Sequence, residues 1–543
     1  QHLIPCIVFA QLTSVQQTYK PTTPTGPVHA TSQELATAIQ QLRNAFPKPD
    51  SVVTDEQDLT TYGSSEHSYH HARPHAVIVR PHSTEDVVKI INIARTYRVP
   101  VVSYSGATSL EGHFSGVTIS LLRPPHCCKS LTKAAQYPTG SICLDMSKMD
   151  KILNINVDDS DLTCQAGTRW EDINHTLKDR NIPLFFPLDP GPGATIGGMV
   201  GTGCSGTNAV RYGTARAEWI LNLTVVLPNG EVIKTRSRAR KSAAGFDTTK
   251  LFIGAEGTLG IVTEATLRLA PLLPTKVAVV QFPTVQHAVD AVQEALRSSQ
   301  GSHIQCVELL DDNSTCLHLC SGISFSERGP VMSAINEAGL VSKAYPVKDT
   351  LFFKLQGDDV SVKHTANVIK TIVQKHGSLK FEFASTDEEA EELWQNRKYA
   401  LMSSLTAYPG RKCWTTDVCV PVSYLPKLVH ETKKDLKDCG LHSTIVGHVG
   451  DGNFHALILF DIDTEHEKAS QAVHRLVRRA IAMDGTCTGE HGVGIGKKEY
   501  LVEELGLTTV AFMKTIKNVV DPLNIMNPGK LYPDEDENNR GNH

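Results

Sequence analysis

The sequence predicts an α+β protein of two large domains, and three observations lead there. At 543 residues the chain is long enough for two or three domains with sizeable cores. Its N-terminal half alternates strand and helix signals, with glycine-rich loops leaving the strands. Beyond a P-L-L-P break at 271–274, the stretch from Thr275 to about Phe460 alternates strands and helices again. Hydrophobic residues make up 40% of the chain and charged residues 20%, the balance of a globular protein. A formal net charge of −5 gives no sign of general nucleic-acid or membrane-surface binding. No apolar run reaches the roughly 18 residues of a transmembrane helix. The 13 cysteines are odd in number, scattered and without a C-x-x-C pair, which argues for a reducing compartment and against a disulfide framework.

The elements follow in order. Residues 1–33 contain no acidic residue and only one basic residue, Lys20, so they are read as a disordered or targeting segment. Ser32 to Phe46 is an amphipathic helix with Ser32 as its N-cap. His75 to Arg80 is a buried strand, Ser83 to about Tyr97 a helix opened by an S-x-x-D signal, and Val101 to Tyr104 the next strand. A first glycine loop, Ser105 to His113, leaves this strand at its carboxyl end, where ligands favour exposed backbone N–H groups. Residues 117–139 hold two adjacent cysteines and a Pro-Pro pair without periodicity. They read as a surface insertion or as translated intron sequence, before a strand resumes at Ser141 to Asp145. The second glycine tract, Pro187 to Gly213, is too glycine-rich for a regular helix or strand, so something must order it. Strands at 220–227 and 231–235 flank a P-N-G turn, and F-I-G-A-E-G-T-L-G (Phe252 to Gly260) precedes a strand at 261–269. The second domain carries strands at 277–282 and 351–355 and helices at 287–298 and 362–376. Helices at about 469–483 and 509–519 close the chain.

Three clusters carry chemistry. Two glycine loops that each follow a strand, with Ser, Thr and Asn interleaved, suit a large phosphate-bearing cofactor better than plain turns. Their spacing fits neither a P-loop nor G-x-G-x-x-G. In G-H-V-G-D-G-N-F-H, His448 and His455 flank a tight turn. In T-C-T-G-E-H-G-V-G-I-G, Glu490 stands beside His491. Two imidazoles and one carboxylate suit Zn²⁺, Mn²⁺ or Fe²⁺ and leave positions open for a substrate. His491 is read as a general base in preference to a third ligand, because adjacent residues point apart. Asp451 and Asn453 form the turn. Arg397, in L-W-Q-N-R, is either a solvated surface charge, which the sequence alone favours, or a clamp on a substrate carboxylate. Arg211 carries the same pair of readings, and Arg236 to Lys241 reads as an exposed basic loop.

Taken together, P-V-V-S-Y-S-G-A-T-S-L-E-G-H, P-L-D-P-G-P-G-A-T-I-G-G-M, C-S-G-T-N-A-V-R-Y-G-T-A, G-H-V-G-D-G-N-F-H and G-T-C-T-G-E-H-G-V-G resemble the flavin-binding vanillyl-alcohol-oxidase superfamily, in its D-2-hydroxyacid dehydrogenase branch. The likeness spans about residues 40–535 outside 117–139. It implies a two-subdomain PCMH-type FAD-binding domain over 34–271. An α+β cap or substrate domain, with an antiparallel sheet and C-terminal helices, follows over 272–535, and then a tail at 536–543. It places Ser105, Gly106, Thr108 and Ser109 along the FAD pyrophosphate. Pro190, Gly193, Ala194, Thr195, Gly198, Ser205, Gly206 and Asn208 would line the cofactor, with Gly260 and Ile261 near it. Members that attach flavin covalently here use a histidine where this chain has Thr108, so FAD is expected to be noncovalent.

The resemblance gives His448, His455 and Glu490 to a divalent metal, Zn or Mn, His491 the role of base, and Arg397 that of carboxylate anchor. It implies oxidation of a D-2-hydroxy acid to a 2-keto acid, with electrons passed to cytochrome c or a quinone-linked carrier and not to NAD, at a mitochondrial address. D-2-hydroxyglutarate relatives carry a polar residue just beyond the second metal histidine, where this chain has Ala456-Leu457. That favours D-lactate, oxidised to pyruvate, over a dicarboxylate such as D-2-hydroxyglutarate, with glycolate as a further candidate. A flavin-free zinc hydrolase built on His448, His455 and Glu490 is the alternative of a different class, and it leaves the glycine tracts unexplained.

Overall fold

Helix starts and sheet order decide where the glycine loops emerge. The computed structural model describes residues 29–65, 68–117, 140–311, 348–384, 386, 389 and 410–533. Arg397, the expected insertion beyond Val117, and the terminal segments 1–28 and 534–543 lie outside the described residues.

The first helix is Ser32–Ala45, and its N-cap is Thr31, not Ser32. Thr31 is the residue three before Glu34. The two form a reciprocal capping box, with Glu34 N–H donating to Thr31 Oγ1 (3.3 Å) and Thr31 N–H to Glu34 Oε2 (2.7 Å). Helix Thr84–Tyr97 is capped by Ser83, whose hydroxyl accepts from Asp86 N–H. This helix links two strands of a four-stranded sheet ordered Val52–Val53, Val77–Val79, Ile142–Asp145, Val101–Tyr104, the last three parallel. Val77, Ile90, Ile91, Val101 and Ile142 are fully buried between sheet and helices. The first glycine loop therefore leaves the carboxyl end of an edge strand of a parallel sheet.

A second, antiparallel sheet has the order Ile152–Asn156, Asp161–Gln165, Ile261–Arg268, Ile220–Val226, Val232–Lys234. Against expectation, the glycine tract that faces it is partly helical, with Ile196–Thr202 and one turn at Ala209–Tyr212. Ile196, Met199 and Val200 bury one side of the longer helix, and packing of that face outweighs the poor propensity of its glycines. Gly197 has room for no side chain, since a Cβ there would stand 2.9 Å from Ala166 Cβ.

The third sheet has eight strands, all paired antiparallel. Its order is Lys380–Phe383, Thr275–Phe282, Asp349–Gln356, Ile304–Leu310, His442–His448, Asn453–Phe460, Lys412–Thr415, with Val418–Cys419 also paired to Asn453–Phe460. Helices Val285–Arg297, Asp359–Lys375, Leu425–Asp438 and His466–Ala482 pack on it. Every residue of Ile304–Leu310 and Asn453–Phe460 is buried, so both are covered on two faces. The hairpin between His448 and Asn453 turns at Gly452, at φ +82°, where a Cβ would lie 1.9 Å from Val420 O.

Among the described residues no helix is long and apolar enough to cross a membrane, and every cysteine is free. Phe454 is fully buried in the sheet that carries the two histidines. Phe454→Ala is expected to destabilise that domain by about 3–5 kcal/mol, read as an earlier transition in chemical denaturation followed by circular dichroism.

Candidate active site

A single cavity of about 720 Å³ joins the glycine loops to the histidine cluster, and a cavity of that size suits a large cofactor. Ser105, Gly106, Thr108 and Ser109 form one wall. Pro190, Ala194, Thr195, Gly198 and Gly206 form the facing wall, with Gly260 and Ile261 beside them. Thr195 Oγ1 donates to Ser105 Oγ at 2.6 Å, which ties the two loops together. A Cβ on Gly106 would lie 2.5 Å from Gly193 O, so the loops meet backbone to backbone.

Gly193, Ser205 and Asn208 are not among the residues that line the cavity. Gly193 N–H donates to Glu171 Oε2. Asn208 Nδ2 donates to Pro187 O, and its Oδ1 accepts from Gln305 Nε2. Arg211 is exposed.

The far end of the cavity is lined by His448, His455, Glu490 and His491. The antiparallel hairpin sets the first two rings edge to face, 5.5 Å apart. Both Nε2 atoms converge on Glu490 Oε1, His448 at 3.1 Å and His455 at 3.2 Å. Each ring is oriented from behind: His448 Nδ1 donates to Glu308 Oε1 at 2.7 Å, and His455 Nδ1 to Thr416 O at 3.0 Å. Imidazoles anchored through one nitrogen, with the other free to face a carboxylate, have the form of metal ligands. His491 stacks on His455, with centroids 4.8 Å apart and planes 11° apart.

Asp417, which the sequence did not single out, holds this loop in place. Its Oδ2 accepts from Thr488 Oγ1 (2.8 Å), Glu490 N–H (2.9 Å) and His491 N–H (2.8 Å), and its Oδ1 from Asn453 Nδ2 (3.0 Å). Asp417, His455, Glu490 and His491 also present ligand atoms within 4.8 Å of one another. The Asp417 oxygens are already engaged by these donors, which makes it a support, whereas His448, His455 and Glu490 could hold a cation. Behind Asp417, buried Lys497 Nζ lies 3.2 Å from Glu111 Oε1 and 3.5 Å from Asp417 Oδ2.

Electrostatics follow from this crowding. Burial raises the Glu490 pKa, but His448 and His455 outweigh it and hold the carboxyl well below its usual value. Burial lowers that of His448, but Glu308 and Glu490 outweigh it and raise the pKa well above the ordinary histidine value. Asp417 is held far below the carboxylate range, with burial opposed by His491, Lys497 and His455. For His491 burial wins over the Asp417 charge and lowers the pKa, so the ring is neutral near pH 7. Burial pushes Asp451 up to about 6.

The wall beside His455 is apolar. Leu457 lies two residues on from His455 along the same strand and shares its face, whereas Ala456 points into the core. Val446, paired with His455, and Thr415, paired with Leu457, complete the wall.

The profile for FAD linked oxidases, C-terminal domain, matches residues 274–531, and that for an FAD binding domain matches residues 128–236. The chain is 42% identical over 497 residues to D-lactate dehydrogenase [cytochrome] 1, mitochondrial, of Saccharomyces cerevisiae, covering 89% of this chain and 78% of that one. It is likewise 42% identical over 499 residues to D-lactate dehydrogenase [cytochrome], mitochondrial, of Arabidopsis thaliana, covering 91% and 80%. Among solved structures, 4-ethylphenol oxidase from Gulosibacter chungangensis superposes with a TM-score of 0.70 at 18% identity, covering 94% of this chain and 99% of that one. The last likeness shows a shared fold.

Removing the Asp417 carboxylate leaves several buried donors without an acceptor. Asp417→Ala is expected to cost about 3 kcal/mol or more, at roughly 1–3 kcal/mol per orphaned group. A clear fall in the melting temperature of the flavin-bound protein checks it, and an unchanged melting temperature contradicts it.

Proposed function

Because the chain belongs to the FAD-linked oxidase family, as an FAD-dependent D-2-hydroxyacid dehydrogenase, we propose that it oxidises D-lactate to pyruvate. The observation that carries this reading is the single cavity with glycine loops at one end and His448, His455, Glu490 and His491 at the other. The FAD-binding domain is taken as 34–271 and the cap as 272–535.

Ser105, Gly106, Thr108 and Ser109 would hold the FAD pyrophosphate, on a loop where Gly106 packs so close to Gly193 O that a Cβ does not fit. Thr108 offers no imidazole for a covalent link, so the cofactor is held noncovalently. Two oriented imidazoles and a carboxylate held ionised fit a divalent cation, Zn or Mn, on His448, His455 and Glu490. When bound, FAD would supply a two-electron acceptor for the hydride from the substrate Cα, and the cation would supply Lewis-acid polarisation of the hydroxyl.

The chain's own residues do the rest. His491, on the cavity wall with its Nδ1 4.0 Å from Asp417 Oδ2, takes the hydroxyl proton. Asp417 holds the loop and stabilises the imidazolium that forms. Leu457 and Val446 supply a wall suited to the methyl group of lactate, and among the described residues that wall offers a second carboxylate no charged partner, only the Thr415 hydroxyl. Arg397 is assigned the substrate carboxylate. The words cytochrome and mitochondrial in the relatives' names support a cytochrome acceptor and a mitochondrial address.

An anaerobic absorbance titration tests the assignment. The yellow protein should bleach with D-lactate and not with L-lactate, and should lose the response on chelation and regain it with Zn²⁺ or Mn²⁺. A yellow, metal-replete protein that ignores D-lactate contradicts it. His491→Ala should retain FAD and lose flavin reduction by at least about 100-fold, the lower range for a general base.

A further inference from the structure

We infer that Glu256 is a positioning residue that locks the His491 loop to the cofactor-binding half. Glu256 sits in F-I-G-A-E-G-T-L-G between Gly254 and Gly257, on the cavity wall, with its side chain 1% exposed. Its backbone is at φ +54°, a left-handed conformation that a glutamate adopts only under constraint from its surroundings.

Its carboxylate reaches across to the other domain. Oε1 accepts from Val493 N–H at 2.6 Å and Oε2 from Gly494 N–H at 2.9 Å, the second and third residues after His491. Two consecutive N–H groups on the two oxygens of one carboxylate form a clamp. Glu256 Oε1 also lies 3.2 Å from His113 Nε2, and His113 Nδ1 bonds Ser109 Oγ in the first glycine loop. The backbone of Glu256 is held in turn, its N–H donating to Gly201 O and its carbonyl accepting from Asn527 Nδ2. One residue thus joins both glycine loops to the loop that carries the base, the first through its side chain and the second through its backbone N–H.

This fixes a division of labour. Asp417 holds Glu490 and His491 from the cap side, and Glu256 holds 493 and 494 from the cofactor side. Without the Glu256 carboxylate, His491 keeps its support within the cap, and its loop is registered against the cofactor-binding half only through the Ile495 and Lys497 contacts to Glu111 farther along the chain. A misplacement on the order of 1 Å costs about 100-fold in rate. The backbone bonds of Glu256 to Gly201 O and Asn527 Nδ2 do not need its carboxylate, so the cofactor wall keeps that main-chain support in a side-chain variant.

The assignment rests on His491 acting as the base proposed above. The test uses Glu256→Gln, which keeps shape but replaces one acceptor with a donor, in the full-length flavin-bound protein. Amide hydrogen exchange should rise at 493 and 494, anaerobic flavin reduction should slow about 100-fold, and reoxidation by an artificial dye should be unchanged. Glu256→Asp, with the charge kept and the reach shortened, should fall between and serves where the Gln variant does not fold. Reduction at the parent rate, loss of FAD, or reduction and reoxidation slowed alike would overturn the assignment. If D-lactate fails to bleach the parent protein, the substrate assignment is what fails. The same comparison is then made with whichever D-2-hydroxy acid bleaches the parent.

Discussion

The chemistry of this molecule depends on a close approach of two backbones. Residues 491–496 of the cap lie against residues 111–113 of the first glycine loop, joined where Ile495 N–H donates to Glu111 O at 2.8 Å. The glycines of E-H-G-V-G-I-G make this possible. A Cβ on Gly494 would stand 2.1 Å from Glu111 O, and one on Gly496 2.2 Å from Glu111 Oε2. Gly492, at φ +82°, would bring a Cβ to 2.7 Å from His113 Nε2. A side chain at any of these positions pushes His491 away from the cofactor-binding half. The two domains thus meet backbone to backbone beside one cavity that both of them line.

Charge then becomes expensive and has to be arranged. Glu308, Asp417 and Glu490 are gathered around His448, His455 and His491 in a water-poor interior. Such a cluster is stable only when its members are mutually paired or hold a cation. The arrangement sorts them. Glu490 and the two hairpin histidines converge on one point in the cavity. Asp417 turns inward to backbone N–H groups, with Lys497 and Glu111 behind it. His491 is left neutral and stacked, with one nitrogen toward Asp417. Perturbed groups in a cleft of this kind mark function more than stability.

Much of this was legible in the sequence, because its signals are local. The hairpin turn placed His448 and His455 together, and strand parity accounts for Leu457 sharing the face of His455. The strands that feed the glycine loops were readable from short apolar runs. What escaped notice depends on distance along the chain. Asp417, Glu308 and Glu256 act on partners 73, 140 and 237 residues away, and no spacing rule links them. The helix Ile196–Thr202 was hidden because its glycines argue against a helix, while the packing of Ile196, Met199 and Val200 argues for one. The cap of the first helix was misread by one residue because Thr31 and Ser32 are both good caps, and only the reciprocal bond to Glu34 decides between them.

Anomalous diffraction from crystals of the flavin-bound, metal-replete protein tests the central claim most directly. That claim is that a cation site in the cap and the flavin share one cavity across the domain boundary. The account predicts one strong peak bounded by His448 Nε2, His455 Nε2 and a Glu490 oxygen, open on the side that faces the flavin ring. A peak elsewhere, or none at that position, would contradict it.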